Sequence, residues 1–225
     1  EKSENNFLEE VRKEATKHGA ILVYDEIVSG FRSSLGGIQE RRGVVPDLAC
    51  FGKAMGNGMP ISALAGKKEI MHKMDDIFFS GTFGGEALSI AAAIACLQKY
   101  KRINGVKQIN DYGHKLQNAL NGLLKEHGIQ DILSIKGESW WPVITVNHDN
   151  PAPIKMLIRQ ELARNGIIQG NSFNITTSHC NDVIWNQTLE AWQNIVKAMA
   201  GYLENSNPEK FLINTQTQSA FQVRL

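Results

Sequence analysis

Two short apolar runs that each stop at a charged residue constrain this chain more than any other feature. Ala20-Ile21-Leu22-Val23-Tyr24 ends in Asp25-Glu26, and Leu48-Ala49-Cys50-Phe51 passes through Gly52 into Lys53. A run without polar alternation suits a strand covered on both faces, as in a parallel sheet layered with helices. Ile61 to Ala65 reads as a further strand. Helical patterns flank these runs: Phe7, Leu8, Val11 and Ala15 recur at helical spacing over 4–18, with Gly19 at the stop position. An Ala-rich helix is predicted over 86–100, fed by the segment 76–82. Apolar runs alternating with helices predict an α/β layer fold.

The pattern changes after residue 103. Leu116, Leu120, Leu123 and Leu124 mark a helix that ends at His127-Gly128. Strands are predicted at 131–136 and 142–147, then a helix over 153–165 stopped by Gly166, and a strand at Ile167-Ile168. A last helix is predicted over 182–203, with Asn181 as N-cap and Leu189, Trp192, Val196 and Met199 as its apolar stripe. The expected organisation is therefore a sheet-bearing part over 1–103, a small α+β domain over 104–207 and an extended polar tail over 208–225.

Composition removes several classes of partner. Lys and Arg number 24 against 23 Asp and Glu, so the net charge of +1 offers no field for nucleic acid or an anionic membrane. No apolar stretch is long enough for a transmembrane helix. Cys50, Cys96 and Cys180 are widely spaced and suggest reduced, buried thiols and a cytoplasmic setting. His18, His72, His114, His127 and His148 show no zinc spacing, so no metal is expected. The absence of an initiator Met and of a targeting segment suggests a chain cut from something longer.

Candidate chemistry gathers at the strand ends. In open α/β sheets ligands bind beyond the carboxyl ends of the strands, where Asp25 stands. An ordinary strand-end acid is an equal reading for Asp25 alone. Lys53 lies in Phe-Gly-Lys-Ala-Met-Gly-Asn-Gly-Met-Pro, where small residues keep bulk away from the amine. Desolvation there lowers a lysine pKa, which suits an amine that forms a Schiff base. Ser80-Gly81-Thr82 ahead of a helix offers a hydroxyl and backbone N–H groups to a phosphate, and Thr82 can equally cap that helix.

Four linked blocks then carry a resemblance: Tyr24-Asp25-Glu26-Ile27-Val28-Ser29-Gly30-Phe31-Arg32, Gly43-Val44-Val45-Pro46-Asp47-Leu48, Gly52-Lys53-Ala54-Met55-Gly56-Asn57-Gly58-Met59-Pro60 and Gly81-Thr82-Phe83. Over about residues 5–204 the chain resembles the class-III pyridoxal-phosphate aminotransferases, within them the glutamate-1-semialdehyde aminomutase branch. The resemblance implies fold type I of the pyridoxal-phosphate transferases, with residues 1–103 as part of the large cofactor-binding domain. It implies pyridoxal 5'-phosphate as cofactor, held by Lys53 as a Schiff base, with Asp25 on the ring nitrogen and Ile27 against one ring face. Gly81 and Thr82 would bind the phosphate, that of the neighbouring subunit in a homodimer with shared sites. The implied reaction moves an amino group between a small-molecule donor and a carbonyl acceptor of semialdehyde or keto-sugar type.

Family members are roughly twice this length, so the resemblance also implies an upstream half carrying the rest of the site. The segment Gly170 to His179 is short and lacks the acidic residue of the aminomutase, which sets intermolecular transfer beside the mutase reaction. The tail Phe221-Gln222-Val223-Arg224 is similar to mutase-like members of sugar and surface-polysaccharide pathways. His179 reads as a structural hydrogen-bonding group, Trp140 and Trp141 as buried aromatics, Arg32 as a surface ion pair ahead of a substrate clamp, and Arg41-Arg42 as a solvated turn. Two rivals complete the reading. A nucleotide hydrolase would need a Gly-x4-Gly-Lys-Ser/Thr loop, which Gly66-Lys67-Lys68 does not supply. An inactive fragment serving as a dimerisation or binding module is the other.

Overall fold

The computed structural model describes residues 6–78, 80–170 and 172–213. The chain divides into two compact units, residues 1–111 and 112–225.

The first unit opens with helix α1 (Phe7–Lys17), which Gly19 follows with a φ of 64°. Strand β1 (Val23–Asp25), the short helix α2 (Ile38–Arg42), β2 (Leu48–Phe51), a 3-10 turn at Lys53–Met55 and β3 (Ala63–Gly66) come next. β1 pairs with β2 in parallel, so both strands end at the same sheet edge, while β3 runs antiparallel to β2. Tyr24 and Ala49 stand opposite each other in register and are buried with Val44. Leu8 from α1 and Ile38 from α2 pack against them. The other face of these strands, at Val23 (48% exposed) and Leu64 (43% exposed), is open. Helices α3 (Lys68–Met71) and α4 (Ala87–Arg102) follow.

One ion triad ties the helix to the sheet. The Asp47 carboxylate, in a residue 5% exposed, accepts from Arg12 of α1 at 2.7 Å, from Lys67 after β3 at 2.7 Å and from the Leu22 N–H at 2.7 Å. These donors hold its pKa far below the usual carboxylate range, the Lys67 ammonium most of all. A depressed carboxylate pKa contributes stability above the unfolded value of about 3.9, and that contribution drains away as pH falls below it. Asp47→Asn is expected to cost about 3 kcal/mol, the low end for breaking a buried pair because both cations are partly solvated. Thermal unfolding at pH 7 should fall by roughly 6–12 °C in a protein of this size. The gap between variant and parent should begin to narrow as pH falls below about 4 and keep shrinking toward the much lower folded-state value; a gap constant across pH 3–7 would contradict the assignment.

The second unit holds most of helix α5 (Gly105–Glu126), the antiparallel hairpin β4 (Leu133–Glu138) and β5 (Trp141–Val146), then α6 (Pro151–Arg164) and α7 (Asp182–Leu203). Leu116, Leu120 and Leu124 of α5 are buried, as are Trp192, Val196 and Met199 of α7. The Asn181 side chain caps α7 by accepting from the Ile184 N–H at 3.0 Å. Trp140 is buried and Trp141 half-buried. On α6 the buried Glu161 carboxylate accepts from Arg164 at 2.7 Å and from the Tyr202 hydroxyl at 2.9 Å.

Several local expectations change. Ile167-Ile168 forms no strand; Ile168 is fully exposed and pairs with no strand among the described residues. Residues 208–211 make a 3-10 turn rather than an extended tail, held by Phe211 stacking on Tyr202 at 4.6 Å and by Gln160 donating to the Phe211 carbonyl at 3.1 Å. Residues 214–225, including the Phe221–Arg224 motif, lie outside the described residues. The three cysteines are free thiols, half-buried rather than buried. Arg41 and Arg42 are exposed, as expected, although they close α2 instead of forming a turn.

Candidate active site

The parallel register of β1 and β2 determines what lies at the sheet edge. Asp25 stands opposite Cys50, and Lys53 opens the 3-10 turn just beyond the end of β2. Alternation along β1 turns Tyr24 into the core and leaves Asp25 exposed on the opposite face. Its Oδ1 accepts from the Ile27 N–H at 3.0 Å. No hydrogen bond engages Oδ2 among the described residues, so one carboxylate oxygen is oriented and the other is available.

Ile27 lies across the end of β2. A Cβ placed on Gly52 would stand 3.1 Å from Ile27 Cδ1, tighter than an ordinary contact, so that side chain would have to shift slightly. Glycine at position 52 therefore lets Ile27 reach the start of the Lys53 turn. Lys53 has a φ of 41°, in the left-handed region that costs a residue with a Cβ about 1–2 kcal/mol. The turn is held by Met55, Gly56 and Asn57 N–H groups donating to the Gly52 and Lys53 carbonyls at 3.0–3.2 Å. The amine itself is exposed and meets no acceptor among the described residues. A lysine after a buried strand could reach out to solvent, pair or be desolvated; here the side chain is exposed, so no desolvation of the amine is found in this chain.

Gly81 and Thr82 occupy a separate, exposed turn in which the Gly84 N–H donates to the Gly81 carbonyl at 2.9 Å. Thr82 does not cap α4. Glu86 does, its carboxylate accepting from the Leu88 and Ser89 N–H groups at 2.7 Å each. The Thr82 hydroxyl has no partner among the described residues. Helix α4 abuts the Lys53 turn, where the Cys96 thiol donates to the Ala54 carbonyl at 3.7 Å. The structure thus gathers Asp25, Ile27, Gly52 and Lys53, and leaves Gly81 and Thr82 on a neighbouring segment of the same unit.

Other candidates resolve plainly. Arg32 is 8% exposed and desolvation pushes its pKa down, so it is no surface ion pair; its carbonyl accepts from Asn110 at 3.2 Å. His179 is structural: its Nδ1 accepts from the Thr176 N–H at 3.0 Å in a capping box at the Thr177–His179 turn. No group of His, Cys, Asp and Glu arranged for a metal ion occurs among the described residues. None of their helices is long and apolar enough to cross a membrane. Sequence reasoning missed two carboxylates, Glu26 and Asp47. Each was visible only as an acid beside an apolar run.

This arrangement of mixed α/β units, with a free acid and a free amine at adjacent parallel strand ends, has the fold of the type I pyridoxal-phosphate transferases. The FumI protein of Sphingopyxis sp. MTA144, solved in its PLP internal aldimine form, superposes with a TM-score of 0.81 at 28% identity, over 91% of this chain and 49% of that one. An omega-transaminase from Sphaerobacter thermophilus gives a TM-score of 0.76 at 22% identity over 86% of this chain and 48% of its own. The Aminotransferase class-III family profile matches residues 2–208, and the chain belongs to that family. It is similar to a glutamate-1-semialdehyde 2,1-aminomutase of Ignicoccus hospitalis, with 32% identity over 86% of this chain and 49% of the relative. It is also similar to a 3-aminobutyryl-CoA aminotransferase of Cloacimonas acidaminovorans, with 39% identity over 67% of this chain and 36% of the relative. The match spans less than half the length of these curated relatives.

Proposed function

We propose that the chain is the Lys53-bearing portion of an aminotransferase that uses pyridoxal 5'-phosphate to move an amino group from a small-molecule donor to a carbonyl acceptor. One observation carries the reading: Asp25 and Lys53 end adjacent parallel strands, each with a polar group left free at the same edge. The residues fit the cofactor. Asp25 Oδ2 is available to a pyridinium N–H while Ile27 fixes the other oxygen, and Ile27 offers an apolar surface beside the Lys53 turn.

Bound pyridoxal phosphate supplies an aldehyde carbon for amines and a ring that withdraws electrons from the reacting bond. Asp25 would keep the ring nitrogen protonated by pairing with it. Lys53 Nζ would hold the cofactor's carbonyl carbon covalently and, once an incoming amine releases it, carry a proton to and from the substrate carbon. Gly81 and Thr82 would present an N–H and a hydroxyl to the phosphate. The exposed 81–85 turn, the exposed Phe78 and Phe83 around it and the unpartnered Thr82 hydroxyl support service to a neighbouring subunit, hence a homodimer. Intramolecular transfer is the second reading, favoured by the aminomutase relatives; consumption of an external carbonyl compound separates the two.

Full-length protein loaded with pyridoxal phosphate and reduced with borohydride should carry a pyridoxyl group on the peptide containing Lys53. Light scattering of that sample should give twice the protomer mass. An unlabelled Lys53 would defeat the enzyme reading, and a fully active monomer would remove the shared site.

A further inference from the structure

The proposed chemistry uses Asp25 and leaves the next residue unexplained. Glu26 is 1% exposed, among the most buried side chains of the first unit, and it is ionisable. A carboxylate in such a place is costly unless its oxygens are met by donors. One oxygen accepts from the Ser29 hydroxyl, and the other from the Gln39 N–H at 3.2 Å. Gln39 lies in the first turn of α2, whose N-cap is Gly37 and so has no side chain to cap with. Glu26 supplies that cap from the far side of the loop. The fit excludes any side chain at position 37: φ there is 81°, and a Cβ would fall 2.5 Å from the Glu26 carboxylate.

The backbone of Glu26 is fixed as firmly. Its N–H donates to the Cys50 carbonyl at 2.9 Å, extending the β1–β2 ladder, and its carbonyl accepts from the Gly30 N–H at 2.9 Å. Ile27 follows directly, with its N–H on Asp25 Oδ1 and its Cδ1 over Gly52. We propose that Glu26 is a positioning residue: by binding Ser29 and the start of α2, its carboxylate locks the turn that sets Ile27 over Gly52 and aims Asp25. This rests on the cofactor reading above for its consequence, though not for its geometry.

The side chain's role is shape and hydrogen bonding rather than charge, and that separates two substitutions. In Glu26→Gln the amide oxygen still accepts from the Gln39 N–H, while the amide nitrogen donates to a Ser29 hydroxyl turned to accept. In Glu26→Ala both donors lose their acceptor. In full-length protein, Glu26→Ala is expected to weaken pyridoxal phosphate binding roughly tenfold, the equivalent of 1.4 kcal/mol. It should also reduce the visible circular dichroism of the bound cofactor and speed amide exchange over 26–39. Glu26→Gln should stay within about threefold of the parent, and Ser29→Ala should fall between the two. Asp47→Asn, which weakens the same unit away from this turn, should leave cofactor affinity nearly unchanged.

The proposal fails if Glu26→Ala binds cofactor like the parent, or if Asp47→Asn weakens binding as much. It fails also if Glu26→Gln is as damaged as Glu26→Ala. Should Glu26→Ala not fold, Ser29→Ala with parental affinity and parental amide exchange overturns it. Borohydride labelling of Lys53 in the parent, scored separately, shows whether the cofactor reading itself stands.

Discussion

Lys53→Ala in the full-length protein is expected to fold as the parent does and to lose turnover by at least about 10⁴-fold. Both halves of that expectation come from the same geometry. The side chain is exposed, and no acceptor holds its amine among the described residues. Truncation therefore removes no interaction from the folded state, and stability should change by less than about 0.5 kcal/mol. The Lys53 backbone holds the turn through its carbonyl, while its side chain makes no hydrogen bond among the described residues and sits in a left-handed conformation where a Cβ is strained, which is consistent with selection of that side chain for chemistry. Lys53→Arg separates charge from chemistry. The guanidinium keeps the positive charge at the rim but stays protonated, so it neither binds a carbonyl carbon nor carries a proton. Steady-state rates of both variants against parent, with melting curves alongside, decide the matter. Normal turnover in either variant would remove Lys53 from the mechanism.

The sequence made the strand ends legible because apolar runs and their terminal charges are local features. Tyr24 and Ala49 face the core and Asp25 faces away, as period-2 alternation requires. Helix α7 was equally legible, since its cap and its stripe both lie within one segment. What was not legible depends on partners far along the chain. Glu26 looks like any second acid after a strand until Gln39 folds back to it, and Asp47 until Arg12 and Lys67 converge on it. Arg32 read as a surface group because nothing in its neighbours records that it becomes buried. Thr82 was given the cap of α4 by residue type, whereas Glu86 stands one position before the helix and reaches two N–H groups. The short Ile167-Ile168 run failed for a related reason: apolar residues make a strand only where another strand is within reach to pair.

Asp25→Asn tests the other end of the proposed cofactor. The amide oxygen can still accept from the Ile27 N–H, so the turn and the position of Ile27 should survive, and cofactor should still bind. What disappears is the negative charge on the oxygen that, in the proposed arrangement, would pair with the ring nitrogen. Without it the ring nitrogen would no longer be held protonated, and the electron withdrawal that the cofactor supplies would weaken. A preorganised electrostatic contact of this kind is worth about 10²–10³ in kcat, and that is the expected loss near pH 7.5. The pH dependence gives the sign. Protons from solution replace the missing carboxylate more effectively as pH falls, so the deficit relative to parent should shrink toward acid pH and grow toward alkaline pH. A structural defect would show no such slope. Parental activity in Asp25→Asn across the whole range would break the pairing of acid and ring nitrogen, and would leave the strand-end geometry of Asp25 and Lys53 without a chemical purpose.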